Sequence, residues 1–177
     1  KVVTFYPFSG FHQFDADLGW TQIPGHEAVF QGREFKVNIK TNSHGFRDKD
    51  YPFKKPAGSE RVVVLGDSFT WGWGVEQEEI FCEVAEKNLE GVEFINLGQT
   101  AYSTAQEYLL FKKLGMKFSP NFTILAFGPN DIMENSENPK RPKFLVKDGM
   151  LALEKSPIPL SLHEKIKKIL KDHFLLY

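Results

Sequence analysis

Three short segments of this chain hold the residue types that acyl transfer needs. Gly66-Asp67-Ser68-Phe69-Thr70 offers a hydroxyl nucleophile, Asn96 to Ser103 offers loop backbone N–H groups, and Gly128-Pro129-Asn130-Asp131 offers a carboxamide donor. A nucleophile with donors aimed at the oxygen that gains charge is the core of a serine acyl-transfer site. Each segment also has an ordinary reading. Ser68 alone is a good helix N-cap or turn serine, and Pro129-Asn130-Asp131 is good turn chemistry. Position separates the readings, because each segment directly follows a short β-branched or aromatic run: Arg61 to Gly66, Val92 to Leu97, and Phe122 to Gly128. In an open parallel sheet, ligands bind in the crevice outside the carboxyl ends of the strands.

The elements that must position these residues follow from apolar spacing. The three runs read as buried strands. Between the first two, Phe81, Val84, Ala85 and Leu89 recur at helical spacing before Gly91. Between the second and third, Ser103 and Gln106 have capping-box spacing, Leu110, Phe111 and Leu114 extend a stripe, and Gly115 closes it. Each strand-helix-strand repeat is about 30 residues, the length of one βαβ unit, so right-handed crossovers into a parallel sheet are expected. The fold class is therefore α/β. Upstream of the polar stretch Lys54 to Glu60, alternation at Phe35, Val37 and Ile39 with a turn at Gln31-Gly32 predicts a β-hairpin. Positions 1–60 read as an extension packed on an α/β unit spanning 61–177. Asp148-Gly149 predicts a second hairpin over Phe144 to Leu151. Leu162, Ile166, Ile169, Leu170 and Phe174 predict a closing amphipathic helix with lysines on its solvated face.

The three segments, in this order, resemble the first three sequence blocks of the SGNH hydrolases, also called the GDSL esterase and lipase family. Thr41 to Asp48 (TNSHGFRD) ahead of Gly-Asp-Ser-Phe-Thr is similar to a bacterial branch of it, and the resemblance covers roughly Leu18 to Leu153. It implies a flavodoxin-like doubly wound parallel sheet and a serine ester hydrolase of the esterase, lipase or acylhydrolase kind, without a cofactor. It makes Ser68 the nucleophile, with its N–H and the Asn130 amide as oxyanion donors and Asp67 and Asp131 in support. The substrate would be a small-molecule or carbohydrate acyl ester. Transfer or removal of acetyl groups on a polysaccharide, or a binding domain that has lost its base, are the alternatives.

The chain departs from the family pattern twice. Counting from Asn96, Ala101 stands where the family usually places the glycine that donates the third oxyanion N–H; Gly98 serves only if the loop is re-registered. If that position needs a positive φ, alanine is strained there. The family's last block, an Asp-x-x-His supplying the general base, is absent, since Ser9, Ile23, Thr41, Leu160 and Leu170 stand three before the five histidines. Asp172-His173 are adjacent on an expected helix and face different ways. The base is therefore expected outside this segment, in a C-terminal part or a partner chain, with little turnover from the segment alone. Three strands are predicted where the flavodoxin-like order has about five.

Composition narrows the remaining classes. The chain has 177 residues, 22 Lys and Arg against 23 Asp and Glu, and one cysteine. That balance disfavours a nucleic-acid partner, and lone Cys82 forms neither an internal disulfide nor a multi-cysteine zinc site. No apolar run approaches the roughly 18 residues of a membrane span. Residue 1 is lysine, so a removed leader or anchor, and with it an extracytoplasmic or membrane-anchored parent, stays open. Phe69, Trp71 and Trp73 are candidates to line an acyl or sugar pocket, with packing as the commoner role of such aromatics. Asn121-Phe122-Thr123 matches a glycosylation sequon at the start of a strand, and His12 with Asp15 and Asp17 reads as loop composition rather than a metal site. No second glycine follows Ser68 to form a nucleophile elbow. Asp67 beside Ser68 would repel a phosphate.

Overall fold

The computed structural model describes residues 2–4, 10–135 and 141–155, together with Leu162 and Lys165. Its strands are β1 (Val2–Thr4), β2 (His12–Asp15), β3 (Gly19–Gln22), β4 (Glu27–Gln31), β5 (Lys36–Lys40), β6 (Glu60–Gly66), β7 (Val92–Asn96), β8 (Phe122–Ala126), β9 (Lys143–Lys147) and β10 (Met150–Lys155). Its helices are α1 (Ser68–Trp71), α2 (Phe81–Asn88), α3 (Thr104–Lys113) and α4 (Pro129–Glu134). The architecture is mixed α/β without a closed barrel. One three-stranded parallel sheet in the order β7-β6-β8 stands beside antiparallel hairpins β2-β3, β4-β5 and β9-β10, and β1 pairs parallel to β4.

The central strand β6 is buried on both faces, and its alternation sorts the helices. Val63 and Leu65 point to the side where Ile95, Leu97 and Leu110 of α3 pack, while Val62 and Val64 meet Ile80 and Cys82 of α2. The two helices thus cover opposite faces. Ser103 caps α3 as its spacing predicts, with the Gln106 Oε1 accepting the Ser103 N–H at 3.0 Å. The Asp148-Gly149 hairpin also forms, both residues having positive φ (52° and 76°) as a two-residue turn requires.

Two expectations about burial are corrected. β8 is not a buried strand: Phe122 is 66 % and nearby Phe127 56 % exposed, and Ile124 and Leu125 are also exposed. It pairs only with β6, so no described strand is hydrogen-bonded to its other edge. The apolar repeat of α2 is helical, but Phe81, Val84 and Leu89 face outward and Cys82 is its buried contact. The reason is packing geometry, since α2 lies mainly against β7 and only Cys82 reaches Val62 and Val64 of the central strand. The closing amphipathic helix lies outside the described residues except Leu162 and Lys165, which are helical and exposed.

The segment before the polar stretch shares its core with the parallel sheet. Leu18, Trp20, Phe46 and Tyr51 join Val63, Leu97, Tyr102 and Phe118 in one cluster, and Phe11, Phe30, Val37 and Ile39 enclose Trp71 in another. Arg47 is buried beneath α1, its guanidinium 5.0 Å over the Trp71 ring. It donates to the carbonyls of Gly72, Val75 and Asn38. Asp48 accepts the Asn96 N–H at 2.7 Å, and burial holds its carboxyl well above the ordinary range. The TNSHGFRD segment therefore clamps the carboxyl ends of β6 and β7 from below.

Candidate active site

The first segment is built from three close fits. Gly66 lets α1 sit against the strand end, because a Cβ there would lie 2.1 Å from the Thr70 Oγ1. Asp67 caps α1, its Oδ1 accepting the Phe69 N–H at 2.9 Å. Ser68 then occupies the first helical position, where the backbone N–H has no intrahelical acceptor and stays available to a ligand oxygen.

In the second segment Asn96 orders the backbone. Its Oδ1 accepts the Gly98 N–H at 2.8 Å and its Nδ2 donates to the Thr70 carbonyl at 2.9 Å. Gly98 is thus engaged, and its lack of a side chain serves packing, as a Cβ would stand 2.4 Å from the Trp71 N. Ala101 has φ of 58°, the left-handed region that costs an alanine strain. Its neighbours hold it there. The Trp20 Nε1 donates to the Thr100 carbonyl at 3.2 Å, the His12 Nε2 is 2.8 Å from the Thr100 Oγ1, and the Arg141 guanidinium donates to the Ala101 carbonyl at 2.8 Å.

The third segment opens α4, with Pro129 at its first position and the Asp131 Oδ2 accepting the Gly128 N–H at 2.6 Å. The Asn130 Nδ2 donates to the Asp67 Oδ2 at 2.6 Å, so Asp67 joins the first segment to the third. Ser68, Ala101 and Glu134 line one cavity of about 550 Å³. Phe69, Trp73 and Phe81 form its apolar walls. Trp71, considered with them from sequence, is instead wholly buried, stacked 5.9 Å from Phe11.

Behind the cavity the structure gathers acids. Glu107 and Asp131 are buried, and Glu107's carboxyl is pushed up to about 8 by burial and by the charges of Asp131, Asp67 and Glu134. Burial also raises Asp131 and Glu134, against the opposing pull of Arg141. Arg141 donates to the Glu134 carbonyl at 2.7 Å as well as to Ala101, tying two walls of the cavity together. Glu107, Glu134 and Arg141 escaped the sequence reading. A signal existed for Glu107, which stands three, four and seven residues before Leu110, Phe111 and Leu114 and so falls on the apolar stripe of α3.

No described histidine lines the cavity. His12 braces Thr100, and burial lowers its ring to about 4, so it is neutral at physiological pH. His44 packs on Phe53 and Phe118, whose carbonyls accept from Arg61 at the opposite end of β6 from Ser68. His163 and His173 lie outside the described residues. Asp15 and Asp17 share Lys113, at 2.8 and 2.9 Å, and no cluster among the described residues has the form of a metal site. Asn121 of the sequon accepts the Arg61 N–H at 3.0 Å and joins two strand ends. No known family profile matches the chain, and no curated protein is significantly similar to it.

Proposed function

We propose that this chain carries the nucleophile and oxyanion side of a serine ester hydrolase of the SGNH kind. The observation that carries the reading is that Ser68 and Ala101, from different strand ends, line one cavity while Asp67 ties the Ser68 turn to Asn130. The order β7-β6-β8 supports it further, because it matches the 2-1-3 start of the flavodoxin-like order, in which Ser68 and Asn130 would flank the switch point.

In this reading the Ser68 Oγ attacks the acyl carbonyl, forming the Oγ–C bond as its proton passes to a base. The carbonyl oxygen takes up the charge beside the Ser68 and Ala101 N–H groups. Asn130 contributes by holding Asp67, and becomes an oxyanion donor itself only when its amide turns from that carboxylate. Collapse expels the alcohol, which takes the proton, and water then releases the acid by the same steps. Replacing water by a second alcohol gives acyl transfer with the same atoms.

A non-catalytic binding domain is the second reading, favoured by the absence of histidine among the described cavity residues. An alkyl fluorophosphonate probe on the full-length protein separates the two. The catalytic reading expects covalent labelling of Ser68 that is lost in Ser68→Ala; an unlabelled Ser68 in folded protein decides for the binding domain.

A further inference from the structure

Most backbone donors of the loop after β7 are already spent. The N–H groups of Leu97, Gly98 and Gln99 are accepted by the Val64 carbonyl, the Asn96 Oδ1 and the Gly66 carbonyl, and those of Tyr102 and Ser103 by the Gln99 carbonyl and the Gln106 Oε1. Thr100 and Ala101 are left without an acceptor among the described residues, and of the two only Ala101 lines the cavity with Ser68.

Two side chains from distant parts of the chain grip the peptides on either side of the Ala101 Cα. In a trans peptide the carbonyl and the N–H point opposite ways. The Trp20 Nε1 donates to the Thr100 carbonyl at 3.2 Å, which turns the Ala101 N–H away from the core that Trp20 joins. The Arg141 Nη2 donates to the carbonyl of the next peptide at 2.8 Å. With both planes held, the torsion between them is held as well, at a φ of 58° that alanine disfavours. The two clamps support each other, since the Arg141 guanidinium lies 5.6 Å over the Trp20 ring. Arg141 is anchored in turn by Glu134, whose carbonyl accepts its Nη1 at 2.7 Å and whose carboxylate stands 3.9 Å from its Nη2. Both clamping side chains are buried, so water does not compete for these bonds. We infer that Trp20 and Arg141 are positioning residues for acyl transfer, fixing the peptides before and after the Ala101 Cα so that the Ala101 N–H faces the oxygen that gains charge at Ser68. The inference rests on the hydrolase reading.

Without a brace, an alanine populates the left-handed conformation about five- to thirtyfold less than the right-handed one, whereas glycine takes either sign of φ. The test follows labelling of full-length protein by an alkyl fluorophosphonate. The Ser68 Oγ–P bond forms as fluoride leaves and the Ser68 proton passes to the base, with charge building on the phosphoryl oxygen. Arg141→Met is expected to lower the saturating labelling rate about tenfold, while the probe concentration giving half that rate stays within about twofold. Trp20→Phe, which removes the indole donor, is expected to act in the same sense. In an Ala101→Gly background the Arg141→Met penalty is expected to shrink to about threefold or less, because glycine reaches positive φ unaided. A general loosening of the fold would cost the same in both backgrounds. Arg141→Lys keeps the charge beside Glu134 but loses the two-pronged grip; its penalty is expected to be smaller and equally sensitive to Ala101→Gly, and it carries the comparison if the methionine variant does not fold. Equal penalties in the two backgrounds, an unchanged rate in a folded Arg141 variant, or a loss confined to half-saturation overturns the inference while Ser68 still labels. A wild-type Ser68 that does not label removes the hydrolase reading and the inference with it.

Discussion

At the scale of single residues, the site is defined by groups held in states they would not adopt in water. Glu107 is the clearest. Its folded carboxyl titrates near 8 and its unfolded one near 4.5. Its contribution to stability is full below about 4.5 and is lost as the pH rises towards 8, because the unfolded chain gives up the proton first. Glu107→Gln removes this titration. Urea midpoints at pH 5, 7 and 9 are expected to fall less with pH in the variant, the difference approaching about 4 kcal/mol at pH 9. An identical pH dependence in both proteins would show that Glu107 is ionised throughout. Ala101 stores strain of another sort. Ala101→Gly relieves the left-handed conformation at some cost in unfolded-state entropy, so a net gain of about 1 kcal/mol is expected in thermal or urea unfolding. A loss would mean that the methyl group packs usefully.

At the scale of elements, the braces behind the rim matter more than the helices themselves. Arg47 satisfies three carbonyls on two segments, and an ammonium cannot span them. Arg47→Lys is expected to cost about 2 kcal/mol and Arg47→Met about 3 kcal/mol or more, since buried carbonyls are left unpaired. Ser68 labelling should slow in step as the 72–75 loop loosens, and unchanged labelling in a destabilised variant would separate brace from site. Much of the scaffold was legible beforehand. The runs at 61–66, 92–96 and 122–126 are too short and too β-branched for helices, and Asp148-Gly149 admits almost no conformation but a hairpin turn. The β2-β3 hairpin went unread although its corner carries two local signals, the Asp15 carboxylate accepting the Asp17 and Leu18 N–H groups and Gly19 with φ of 89°, because its strands are only four residues long. Nor was the burial of each strand legible, since β8 has the composition of a core strand and its exposure depends on what flanks it. Of the site, Ser68 and Ala101 could be read from their strand ends. The Asp67 bridge to Asn130 needed the switch point to bring residues 63 positions apart within 2.6 Å.

At the scale of the whole molecule, several apolar side chains of β8 and the β9-β10 hairpin are exposed, Phe122, Ile124, Leu125, Val146 and Leu151 among them. A groove of about 570 Å³ lined by Leu65, Tyr108, Phe111, Leu125, Phe144 and Leu151 runs beside the open edge of β8. An exposed apolar edge strand templates pairing with other chains. The 177-residue chain is expected to self-associate at micromolar concentration, and Ile124→Lys, which places a charge on the open strand, should shift it towards monomer in sedimentation velocity. A monodisperse monomer without the substitution would show that this edge is already protected.

The sharing of one core between the leading hairpins and the parallel sheet also sets a schedule for synthesis. The Trp20 indole N–H finds its acceptor at Thr100, 80 residues further along the chain. At about 5–20 residues per second a ribosome needs roughly 4–16 s to make that stretch. Throughout that interval the nascent hairpins carry Trp20 without the sheet residues that later cover it, so the same side chain that steadies the Ser68 rim is, during translation, one a chaperone would meet first.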